Sequence, residues 1–221
     1  MRMSPAKAMQ DPHAGQPVLS RGAPLAGAKA AMIMVHGRGA SAEDILGLAE
    51  ELQAPNVAYL APQAAGNVWY PQSFLSPIES NEPGITSGLA LLGTIERQVR
   101  DAGIPPEAVF LLGFSQGACL ILEYAARNAR RFGGIFGLSG GLIGPDGTPR
   151  DYPGSMAGTP VLLGSSDVDP YIPKARVLLS ADVFERLGAR VSARLYPNMG
   201  HTVNEDELEA VRTTIGLLLE T

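Results

Sequence analysis

The chain has 221 residues, 45% of them hydrophobic and 18% charged, with a formal net charge of −5. That is enough for one sizeable core and too little for two comfortable domains, and the acidic balance argues against nucleic acid or an anionic membrane as main partner, since either favours a basic face. One cysteine excludes an intrachain disulfide, and three histidines make a zinc cluster a poor fit, so no metal or other cofactor is expected.

Residues 1–17 mix charged residues with prolines and lack any apolar stretch long enough for a signal peptide or a membrane span. They read as a flexible tail on a single domain of residues 1–221, with a cytoplasmic location, no stable membrane insertion and room for a homodimer. A weak edge strand is expected near Val18-Leu19. Ala30 to Val35 is a continuous apolar run ending at His36-Gly37-Arg38-Gly39, the pattern of a central strand buried on both faces. Ser41, with Asp44 three residues on, caps a helix whose apolar face is Ile45, Leu48, Ala49 and Leu52. Pro55 stops that helix, and Val57 to Leu60 is the next strand.

Residues 61–84 form a long stretch rich in proline and glycine with no clear period, well beyond an ordinary connection, and such loops are usually functional. Ile85, Leu89, Leu92 and Val99 then mark a helix closed by Gly103, and Pro105-Pro106 leads into a strand from Val109. Two short apolar strands follow, Ile135 to Leu138 and Val161 to Leu163. A helix through Val177, Ala181, Phe184 and Leu187 ends at Gly188. Arg190 to Tyr196 alternates like a strand near a sheet edge, and Asn204 caps a last helix with an acidic first turn. Strands alternating with helices imply a mostly parallel central sheet with helices on both faces, whose ligand site lies at the C-terminal strand ends.

Two segments fit the G-x-S-x-G turn that lifts a serine above a sheet: Gly113-Phe114-Ser115-Gln116-Gly117 and Gly137-Leu138-Ser139-Gly140-Gly141. A helix must follow, because its N-terminus points free N–H groups at a developing oxyanion. Strong helix formers follow Ser115, whereas glycines and a proline follow Ser139, so Ser115 is the candidate nucleophile and Ser139 a strand-end turn on the same rim. Its base must be a histidine. His13 falls in the expected tail and His36 precedes the serine, so His201, between the last strand and last helix, is left. The acid that orients it is Asp167 or Asp169, both just after the strand at Val161. An oxyanion hole would use the Gln116 amide and one from the 36–39 turn. Cys119 reads as a core residue.

Taken in order, His36-Gly37-Arg38-Gly39, Gly113-Phe114-Ser115-Gln116-Gly117, Asp167-Val168-Asp169-Pro170-Tyr171-Ile172-Pro173 and Gly200-His201 resemble the phospholipase/carboxylesterase family of α/β-hydrolases, which includes the acyl-protein thioesterases. The resemblance spans roughly residues 18–219. It implies an α/β-hydrolase fold without a large cap domain, a Ser115, Asp169, His201 triad, oxyanion amides from Arg38 and Gln116, and cofactor-free hydrolysis of a small-molecule ester or thioester. It places Trp69 and Tyr70 at the acyl pocket, to which the apolar Phe74 and Leu75 of the long loop and Leu142 are added. Pro71 stands where many members carry aspartate, and Ser165-Ser166 replaces the usual His-Gly. The expected activity is a serine carboxylesterase for short to medium acyl chains working through an acyl-enzyme. The alternatives are a thioesterase or lysophospholipase for longer chains, and a ligand-binding relative without chemistry.

Overall fold

In the computed structural model, which describes residues 11–220, seven strands form one sheet: β1 (Val18–Gly22), β2 (Ala30–Val35), β3 (Val57–Pro62), β4 (Val109–Phe114), β5 (Gly134–Leu138), β6 (Pro160–Ser166) and β7 (Arg190–Tyr196). Their spatial order is β1-β3-β2-β4-β5-β6-β7, with β1 antiparallel to β3 and the other neighbours parallel. Residues of β2 and β3 are buried throughout, which is why they read as unbroken apolar runs, while β7 at the edge is half exposed and alternates.

The helices are α1 (Ala42–Leu46), α2 (Leu48–Leu52), α3 (Gly84–Asp101), α4 (Gln116–Arg127), α5 (Lys174–Arg186) and α6 (Glu205–Leu219). A side chain added at Gly137 would strike Leu122 of α4, and one at Gly134 would approach Thr214 of α6. Successive strand residues point to opposite faces, so these two helices cover opposite sides of the sheet. Mostly parallel strands with helices on both faces are the expected architecture. Every residue of α4 from Gln116 to Ala126 is buried, matching its nearly all-apolar sequence.

Three details depart from the sequence reading. The helix after Ser41 is two short helices that meet at Gly47, although the Ser41–Asp44 capping box is formed. β6 runs on past Leu163 through Ser165 and Ser166, which are buried. Of the expected tail, residues 1–10 lie outside the described residues, but 11–17 are docked on the body. The His13 ring is 2% exposed, with Nδ1 accepting the Ala65 N–H at 3.2 Å and Nε2 donating to Trp69 O at 2.9 Å. Its backbone N–H reaches Ser87 Oγ.

Candidate active site

β4 ends in a turn that glycine alone can make. A Cβ on Gly117 would sit 2.1 Å from Val35 O, and one on Gly113 would sit 2.5 Å from Gly117 O, so the turn packs backbone against backbone. Between them Ser115 adopts φ 54°, ψ −119°, a conformation that costs a non-glycine residue of order 1–3 kcal/mol and persists only under constraint. The constraint is visible: the Ser115 N–H is held by Leu138 O at 2.9 Å, and its carbonyl accepts the Cys119 N–H at 3.0 Å to begin α4.

His201 lies on the loop from β7 to α6. Asn204 and Glu207 close a capping box at the far end of this loop, and Asp167 Oδ1 accepts the Asn198 N–H at 2.9 Å at the near end. His201 Nε2 lies 2.9 Å from Ser115 Oγ, and its Nδ1 2.7 Å from Asp169 Oδ2. A carboxylate oxygen only accepts, so Nδ1 carries the hydrogen and Nε2 is free to accept from the serine hydroxyl. Asp169 has no exposed side-chain surface, and its Oδ1 accepts the Tyr171 and Ile172 N–H groups at 2.8 and 3.0 Å. Three N–H groups thus hold one carboxylate in one pose. The imidazole packs between Phe114 and Tyr171, with ring centroids 4.9 and 5.1 Å away.

A family model described as phospholipase/carboxylesterase matches residues 22–219. The chain belongs to the phospholipase/carboxylesterase family. It is a serine hydrolase of that family, with the α/β-hydrolase fold. A crystal structure of a phospholipase/carboxylesterase from Dyadobacter fermentans is 42% identical with a TM-score of 0.88, over 91% of this chain and 96% of that one. Acyl-protein thioesterase 1 of Saccharomyces cerevisiae is 28% identical over 212 residues, 85% of this chain and 92% of that protein. Acyl-protein thioesterase 1 of Gibberella zeae is 36% identical over 120 residues, so the match spans 52% of this chain and half the length of that relative.

Beside Ser115 and His201 this hydrolase has an open cavity of about 690 Å³. Tyr70, Phe74 and Leu75 line it. Trp69 and Leu142, expected there, do not. Trp69 is fully buried behind the wall, its N–H given to Gln116 Oε1 and its indole Nε1–H to His36 O, both at 2.9 Å. Leu142 is buried too, its N–H held by Ser180 Oγ and its carbonyl by Arg176. Ser139 sits at its strand end as expected, but it is fully buried rather than on the rim. His36 is also structural: Nδ1 donates to Gly37 O and Nε2 accepts the Ala64 N–H, while burial pushes its pKa below the ordinary histidine value.

Several contacts around the site go beyond the sequence reading. The Gln116 side chain brackets the 69–70 segment through the Trp69 N–H and Tyr70 O. Asn81, fully buried, pins the same loop through the Gln72 N–H and Ser73 O. Cys119 lines the cavity, and burial pushes its thiol up to about 12. Its spacing of four from Ser115, which places it on the same helix face, was the available clue. The 36–39 turn passes directly over the elbow, since a Cβ on Gly37 would lie 3.3 Å from Ser115 Cβ. Gln116 is the first residue of α4, where an N–H has no intrahelical acceptor. No helix among the described residues is long and apolar enough to cross a membrane.

Proposed function

We propose that this hydrolase is a serine carboxylesterase acting on carboxylic esters of short to medium acyl chains. The hydrogen-bonded series from Ser115 Oγ through His201 to Asp169, opening onto a cavity lined by Tyr70, Phe74 and Leu75, carries the reading. Ser115 Oγ attacks the ester carbonyl as His201 Nε2 takes its proton, and the amides of Arg38 and Gln116 receive the oxyanion. Collapse expels the alcohol, which takes the proton from His201 and leaves an acyl-serine. Water, deprotonated by the same nitrogen, then releases the acid and restores the hydroxyl. Asp169 keeps the imidazole in the tautomer this cycle needs and stabilises the imidazolium. The unpaired, buried Cys119 suits a cytoplasmic setting.

A second reading, an acyl thioesterase, is favoured by the relatives named acyl-protein thioesterase 1. The same steps cleave a thioester with a thiol as leaving group. A series of esters and thioesters of increasing acyl length decides between them. The first reading expects kcat/KM to peak at short or medium esters. A maximum at long acyl thioesters overturns it in favour of the second, and a ligand-binding relative would turn over neither.

A further inference from the structure

Among the described residues, fifteen line the cavity beside Ser115, and none of them is an aspartate or glutamate. Asp169 stands behind the imidazole with no exposed side-chain surface, its oxygens taken by three N–H groups. The lining does contain one permanent cation, Arg38, at the exposed mouth. Its Nη1 donates to Pro71 O at 2.9 Å and its Nη2 to Tyr70 O and Gln72 O at 2.9 and 2.7 Å. These three acceptors are neutral carbonyls, which fix the guanidinium in place without cancelling its charge. Among the described residues no carboxylate comes within ion-pair distance of it, and its Nε–H has no hydrogen-bond partner. Arg176, whose guanidinium lies 5.8 Å from the centre of the Phe74 ring, is paired instead with Asp146 at 2.8 Å.

A guanidinium held rigid at the mouth of a cavity has already lost the side-chain freedom that binding would otherwise cost, and its permanent positive charge attracts an anion there. With no acidic neighbour in the lining, its field falls on whatever occupies the cavity. We propose that the substrate of this enzyme is an ester bearing a carboxylate, on its acyl part or its alcohol, and that Arg38 is the specificity-determining residue that seats it. The proposal rests on the esterase reading above and narrows it to anionic esters. Arg38 then has two separate jobs: its amide faces the oxyanion, and its side chain reads the charge of the substrate.

The test compares esters matched in size and leaving group. Monomethyl adipate is set against methyl hexanoate for a charge on the acyl part, and 3-acetoxybenzoate against 3-methylphenyl acetate for a charge on the alcohol. In at least one pair the wild-type enzyme should prefer the anion by roughly fivefold to tenfold in kcat/KM, the scale of one partly screened ion pair. That ratio should fall as KCl rises from about 20 mM to about 0.5 M, where charges are screened within a few ångströms. Arg38→Met should bring the ratio to about one or below, and Arg38→Lys should keep part of it. Because Arg38 also holds residues 70–72, either variant can lose turnover on the neutral ester as well, and the ratio divides that loss out. Ratios of one or less in both pairs, or a preference that survives Arg38→Met, overturn the proposal while normal turnover of the neutral esters leaves the esterase reading intact. Failure to cleave any of the four esters, with Ser115 inert to a fluorophosphonate, would sink the esterase reading itself.

Discussion

Glu207 is fully buried at the first turn of α6, its Oε2 accepting the Asn204 N–H at 2.9 Å and its Oε1, against Gly164, without a hydrogen-bond partner among the described residues. Burial, reinforced by Asp206 and opposed by the Asn204 N–H and Arg194, pushes its pKa from 4.5 up to about 7. The folded state therefore binds this proton more tightly than the unfolded chain does. The resulting stabilisation is present below about pH 4.5 and is lost as pH rises through about 7. Between pH 5.5 and 8 the loss works out to about 2 kcal/mol from this one group, at 1.36 kcal/mol per unit. Glu207→Gln cannot titrate, and titrations elsewhere in the molecule cancel in the comparison. Urea unfolding of both proteins at intervals across that range should show the stability difference moving by about 2 kcal/mol in favour of Gln at the alkaline end. Parallel curves would refute the assignment of a raised pKa, whatever the offset between them.

Asp169→Asn should lower kcat by roughly 10⁴ in a folded protein, because the amide favours the wrong imidazole tautomer. Asp167→Asn, which affects only the hydrogen bond to Asn198, should cost about tenfold or less in the same assay. Trp69→Ala should lower stability by about 3–5 kcal/mol in denaturant melts, as expected of a buried core indole, and leave the ranking of acyl lengths unchanged. A shift in that ranking at full stability would return Trp69 to the cavity wall. Gly117→Ala should fail to give a native circular dichroism spectrum, since its Cβ would lie 2.1 Å from Val35 O.

Much of the architecture was legible because it is local or periodic. Ala30 to Val35 reads as a doubly buried strand from its composition alone, and Ser41–Asp44 and Asn204–Glu207 announce helix starts through side chains three residues apart. The order serine, acid, histidine along the chain, each after a strand, was also readable, although strand position left the acid open between Asp167 and Asp169, and the fold brings Ser115, His201 and Asp169 within hydrogen-bond distance. What stayed hidden depends on partners distant in sequence. Trp69 reads as a loop aromatic near a rim, yet Gln116 and His36, 47 and 33 residues away, draw it into the core. His13 reads as tail, yet its contacts lie 52 to 74 residues on. The Arg38 side chain shows the same limit, since no spacing rule connects it to carbonyls more than thirty residues later.

Intact-mass measurement on wild type, Ser115→Ala and Ser139→Ala after treatment with a fluorophosphonate tests whether Ser115 is the nucleophile. Wild type and Ser139→Ala should each gain one adduct, mapped by peptide sequencing to the 113–117 turn. Ser115→Ala should gain none and lose on the order of 10⁵–10⁶ in kcat while keeping its melting temperature within a few degrees. An adduct that persists in folded Ser115→Ala, or one that disappears in Ser139→Ala, would place the nucleophile elsewhere.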